Sequence, residues 1–212
     1  MPRSVDHARR REQIALAACR VVAARGFSQA SLARIARESG YTTGMLAHYF
    51  DSKQDIVLAA LRLVLHRIEA RLATTPAGSG GDRLLEALCE SLPQDAQRRI
   101  ECRFWAVFWG EVPADRGLRR VNAWVHREYQ RLFRRCLAAH WPGYAGLRAG
   151  VRGQLLRSVV TYINGITASA VSSPADWPAR QQRQALALQL ALLQHWAARP
   201  ERRRPGGRAR AA

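Results

Sequence analysis

Lysine is almost missing from this chain. Lys53 is the only one, although lysine and arginine together number 34 of the 212 residues, so arginine carries nearly all of the positive charge. Alternating apolar and polar stretches, the mark of a half-buried strand, are also missing. No apolar run approaches the roughly 20 residues that a membrane-spanning helix needs. The first residues, "MPRSVDHARRREQIALAACR", lack the long apolar core of a secretory leader. A soluble, cytoplasmic protein with no membrane partner is therefore expected. Cysteine is sparse: Cys19, Cys89, Cys102 and Cys136 stand far apart, without a CxxC pair or a histidine at zinc-finger spacing. That excludes a disulfide framework and a zinc site by pattern, and reduced thiols are expected. There is no HExxH, no glycine-rich phosphate loop and no GxSxG, and the six histidines are scattered. No catalytic residue, metal or cofactor is expected. A helical enzyme whose site is assembled from distant residues remains the minor alternative.

What is present is charge and helical periodicity. The formal net charge is +18 with a pI near 11.4, which favours a polyanionic partner. Nucleic acid is the first candidate and an anionic surface bound by a helical scaffold the second. The plain alternative is an arginine-rich composition with no partner at all. Hydrophobic residues make up 48%, enough for a folded core.

Apolar spacing predicts an all-α chain of about nine helices. The first runs from Arg9 to Ala24 with Ile14, Ala17, Ala18, Val21 and Val22 on one face, and Gly26 stops it. Ser31 caps a short second helix whose buried face is Leu32, Ile35, Ala36 and Ser39. Gly40 ends it, and Thr42 caps a third. Ser52 and Asp55 form a capping-box start for a fourth, which carries Ile56, Ala60, Leu63, Val64, Ile68 and Leu72. After "TTPAGSGG" (74–81) five further segments follow, at 82–92, 94–110, 114–141, 150–171 and 179–198. The domains expected are 1–55, 56–198 and an arginine-rich, disordered tail at 199–212.

The second and third helices, joined by a glycine turn within a basic N-terminal module, suggest a helix-turn-helix. Winding the third helix at 100° per residue turns Leu46 and Phe50 inward and puts Gly44, Met45, His48 and Tyr49 on the open arc. Each open residue suits DNA. Thr42 and Thr43 can meet a phosphate or base edge, Gly44 admits the groove floor, and Met45 fits a thymine methyl. His48 and Tyr49 can donate to phosphates, and Lys53 is placed as a phosphate clamp. Arg9, Arg10 and Arg11 form either an arm to phosphates and the minor groove or a solvated cluster.

The order of these residues resembles the TetR family of bacterial transcriptional regulators. "GFSQASLARIARESGYTTGMLAHYFDSK" (26–53) is similar to that family's N-terminal signature at nearly every fixed position. Ala30 and Ala47 depart from it, standing where threonine and tyrosine are common; the second removes one phosphate contact. "TTGMLAHYF", "ARRREQI" and "FWAVFW" (104–109) resemble its betaine-pathway repressor (BetI-like) branch. The resemblance implies a homodimeric regulator of a palindromic operator. Repression is the default, with activation as the alternative, and the DNA contacts are Ser31, Thr42, Thr43, Gly44, Met45, His48, Tyr49 and Lys53. It also implies an all-helical effector and dimerisation domain.

Two apolar helices are consistent with pairing. One carries Leu155, Val159, Ile163 and Ile166, the other Leu186, Leu190 and Leu193, and both are apolar on more sides than one contact covers. An effector pocket is expected around Trp105, Phe108, Trp109, His126 and Tyr129, with Tyr162 and Asn164 as polar lining. Aromatics of this kind can cage an organic cation or simply fill a core. Arg98, Arg99 and Arg103 would instead select an anion.

Overall fold

The computed structural model describes residues 2–74 and 81–199. The helices are α1 (Pro2–Arg25), α2 (Leu32–Ser39), α3 (Thr43–Tyr49), α4 (Lys53–Thr74), α5 (Gly81–Cys89), α6 (Ala96–Glu111), α7 (Arg116–His140), α8 (Ala149–Ser172) and α9 (Ala179–Ala197). A single 3-10 turn (Tyr144–Gly146) separates α7 from α8, and the described residues hold no strand. The fold is all-α, and apart from the start of α1 every expected helix is found within a few residues of its expected ends. The start of α1 differs most. It begins at Pro2 rather than Arg9, because a proline costs no hydrogen bond in a first turn, and polar residues can extend a helix without any apolar spacing. Residues 75–80 and nearly all of the expected tail, 200–212, lie outside the described residues. No described helix is long and apolar enough to cross a membrane.

Local chemistry explains the helix ends. Gly26 and Gly40 both take positive φ, 81° and 75°, which side-chain-bearing residues adopt only at a cost. The Gly40 amide closes α2 onto the carbonyls of Ala36 and Arg37. Ser31 Oγ accepts from the Arg34 amide at 3.3 Å, and Thr42 Oγ1 from the Met45 amide at 3.2 Å, so both predicted caps are made. Ser52 Oγ accepts from the Asp55 amide at 3.1 Å and donates to the Asp55 carboxylate at 2.7 Å, so the serine caps α4 as expected.

The chain divides into two compact units. One holds the described residues through Ile68 together with Asp95–His126; the other holds Glu69–Gln94 and the described residues from Arg127 onward. The expected boundary at 55/56 falls in the first turn of α4, and the packing divides the chain elsewhere because α1 rests on α6 as well as α2. In the first unit Ile14, Ala17, Ala18, Val21 and Val22 are all buried, as their spacing requires. Glu101 of α6 is also buried, only 2% exposed. It accepts from Gln97 at 3.0 Å and from Arg67 at 3.4 Å, and Arg67 also lies 4.0 Å from Glu12. A buried carboxylate needs such partners, since removing a charge from water costs several kcal/mol (roughly) when it is left unpaired. In the second unit α9 packs on α8 and α5, burying Leu186 and Leu190 with Leu155, Val159 and Ile163.

Candidate nucleic-acid interface

The surface of the first unit that matches a DNA reader is built by two short helices and the turn between them. Ser31, Thr42, Thr43, Gly44 and His48 are exposed, Met45 is half-buried, and Leu46 and Phe50 are buried as expected. Thr42 spends its hydroxyl on the cap, leaving Thr43 as the free hydroxyl of the first turn. Arg34 braces the approach to α2 by donating to Gln29 at its backbone oxygen (3.0 Å) and its side-chain oxygen (2.8 Å). Tyr41, in the turn, donates its hydroxyl to Gln13 of α1. The sequence reading missed both braces. Arg34 and Gln29 flank a helix start, where spacing alone suggests nothing beyond solvated charge.

Two expected placements are corrected. Tyr49 is not on the open arc: it is 8% exposed, its ring 4.6 Å from His7 of α1 and 5.3 Å from His48. The first two turns of α1, which apolar spacing could not show, lie beside it. Leu32 is not part of the buried face of α2. It is 42% exposed, because α2 has only eight residues and its buried stretch is confined to Ile35 and Ala36.

The basic residues divide. Arg9 is exposed, whereas Arg10 and Arg11 are half-buried and bonded to Tyr49. Lys53 donates to the Phe27 carbonyl at 2.8 Å and lies 5.0 Å from the Phe27 ring centroid, tying the start of α4 to the turn after α1.

The residues expected to line an effector pocket fall in both units. In the first, Trp105 and Phe108 are buried and Trp109 half-buried, with ring centroids 6.0 Å (Trp105–Phe108) and 5.7 Å (Trp105–Trp109) apart. Glu101 precedes Trp105 by one turn on the same face of α6, an acidic neighbour the sequence reading overlooked. His126 is exposed. In the second unit Tyr129 packs on Phe133 at 4.6 Å, and the side-chain oxygen of Asn164 is buried without a hydrogen-bond partner. Tyr162 lines an open groove of about 560 Å³ along α8, with Thr161, Gly165, Trp177 of the α8–α9 connection and Gln189 of α9. Of the three arginines offered for an anion, Arg98 is held by Asp95 at 2.7 Å, and Arg99 and Arg103 are exposed.

Most of the residues expected to pair are already covered within one chain. Leu155, Val159, Ile163, Ile166, Leu186 and Leu190 are buried by the chain's own helices, and Leu193 is half-buried. The apolar side chains left in solvent are Leu188 (62% exposed) and Leu192 (58%), one turn apart on α9.

This architecture and head agree with what is known of other proteins. Residues 14–60 match the family described as bacterial regulatory proteins, tetR family, and residues 81–195 match the BetI-type transcriptional repressor C-terminal domain. The chain belongs to the TetR family of DNA-binding transcriptional regulators and carries a BetI-type C-terminal domain. It is 34% identical over 164 residues to the HTH-type transcriptional regulator BetI of Pseudomonas aeruginosa, covering 72% of this chain and 82% of that one. It is 33% identical over 110 residues to the HTH-type transcriptional regulator PksA of Bacillus subtilis. There the match takes in 51% of this chain and 54% of the relative, so the chain spans about half of that protein's length. A putative transcriptional regulator from Saccharomonospora viridis, solved in complex with choline, has the same fold: TM-score 0.67 at 22% identity, over 84% of this chain and 94% of that one.

Proposed function

We propose that the protein is a homodimeric repressor that reads a palindromic operator with α3 and releases it when a small organic cation binds. The observation that carries the reading is the exposed face of α3. Thr43, Gly44 and His48 project from a short helix that a capping threonine starts and a buried Leu46 and Phe50 seat. Such a helix presents a hydroxyl, a bare backbone and an imidazole to the major groove. A two-fold dimer would place two copies on successive turns of the duplex.

Support for the dimer is the exposed pair Leu188 and Leu192 on α9, together with the exposed small residues Thr161, Gly165 and Ala168 on α8. Support for a cationic effector is the Trp105–Phe108–Trp109 cluster with Glu101 on the same helix face, together with the choline bound by the Saccharomonospora relative. Ligand and DNA then oppose each other through one coupling free energy.

The test is selection of bound duplexes from a random pool by the purified chain and by Thr43→Ala, followed by titration of the selected duplex complex with choline. A palindromic consensus that the variant recovers poorly, and a complex that choline dissociates, are the expected results. Binding without a consensus would sink the reading of α3, and a complex indifferent to choline would remove the choline effector alone.

A further inference from the structure

In a DNA-reading head, arginines near the recognition helix are natural phosphate contacts, yet two of them here are half-buried and bonded to Tyr49. We propose that Arg11, assisted by Arg10, is a positioning residue: it locks the C-terminal end of α3 and so sets the angle at which Thr43, Gly44 and His48 meet the groove. The proposal rests on the DNA-reading role of α3 given above.

The need for a lock follows from the length of α3. Its seven residues make about two turns, far too few to hold a helix in isolation. The last carbonyls of any helix lack intrahelical donors, and a glycine in the left-handed conformation commonly caps them. Here no glycine follows. The capping position is Phe50 at φ −144°, extended backbone, and its amide reaches only Leu46. Arg11 supplies the missing donor from 38 residues away, giving a guanidinium N–H to the Tyr49 carbonyl. The same guanidinium lies over the Phe50 ring, 4.1 Å from its centroid. A cation at a helix C-terminus is also favoured by the helix dipole.

Arg10 reinforces the contact one residue earlier. Asp6 holds it at 2.7 Å, and it donates to the Tyr49 hydroxyl at 3.4 Å, while the His7 ring sits 4.6 Å from the Tyr49 ring. Arg9, Arg10 and Arg11 thus have different duties although they are consecutive. Only Arg9 is exposed.

Arginine suits this duty and lysine does not, because a planar guanidinium can donate in its plane while its face covers a ring. A phosphate contact, by contrast, is satisfied by either cation. Arg11→Lys therefore separates the two roles and keeps the charge.

The experiment measures binding of the full chain, by fluorescence anisotropy across a salt series, to the palindromic duplex selected from the random pool and to a scrambled duplex of equal length. Circular dichroism verifies that Arg11→Lys and Arg11→Ala are folded at the working temperature. Both variants are expected to lose roughly tenfold in affinity for the palindrome, the size of one charge-assisted hydrogen bond read as affinity. The scrambled duplex should bind as before and the salt slope should stay unchanged. Arg11→Lys binding like the wild type, with Arg11→Ala losing both duplexes alike and the salt slope falling by about 0.9, would mean a phosphate contact and overturn the proposal. So would two folded variants that melt earlier but bind the palindrome normally. A wild-type chain that selects no palindrome removes the reading of α3 itself, and the proposal with it.

Discussion

A thiol taken out of water is a poor acid, and two of the four cysteines make this measurable. Burial pushes Cys19 and Cys136 up to about 12 from an ordinary 9.0, with the buried Glu101 carboxylate adding to the effect at Cys19. The thiolate is the reactive form. Iodoacetamide at mildly alkaline pH should therefore spare both residues in the folded protein and modify them once denaturant is added, as peptide mass mapping would show. The sign of the linked pH effect is fixed. A raised folded value means these thiols favour the fold fully below about 9, and that contribution fades as pH climbs toward about 12. The urea midpoint of the wild type should fall more steeply over this range than that of Cys136→Ala. Single-residue roles were legible in the sequence where the chemistry is local: Ser31 and Thr42 cap because the hydroxyl and the amide it serves lie three residues apart. Tyr49, Arg10 and Arg11 were not, because a helical wheel gives a direction relative to an axis and says nothing of a distant segment lying there.

At the turn of the reading head, conformation is enforced by the absence of a side chain. A Cβ built at Gly40 meets nothing within 4 Å, so its φ of 75° is the whole obstacle to substitution. Gly40→Ala should cost about 1–2 kcal/mol, and Gly40→Asn distinctly less, since asparagine visits the left-handed region more readily. Urea denaturation followed by circular dichroism checks both. Helix starts and stops were readable for the same reason that these substitutions are predictable: glycine, serine and threonine act within one turn. The early start of α1 was hidden, since its first turns carry no apolar stripe, and the exposure of Leu32 was hidden because α2 buries only one turn of its face.

For the molecule as a whole, the proposed pairing turns on α9. Replacing Leu188 and Leu192 together with glutamate puts two charges on the face offered to a second copy, while their exposure leaves the fold of one chain intact. Sedimentation should report a monomer where the wild type gives a dimer, and affinity for a two-half-site duplex should drop at least tenfold (roughly), with binding to a single half-site little changed. An unaltered dimer would move the interface elsewhere. The sequence showed α8 and α9 to be broadly apolar, and the residues it offered for pairing are mostly buried within one chain. In a helix apolar on most sides, nothing in the pattern distinguishes the side covered by its own chain from the side left for another.

The solitary lysine carries a last consequence. Lys53 grips the carbonyl of Phe27 across 26 positions, and no other side chain in the sequence bears a primary amine. Amine-selective acylating reagents consequently meet one side-chain amine, and that grip slows its reaction for as long as it holds. Their rate of reaction is a clock, built into the chain, for how often the bracket around the reading head springs open.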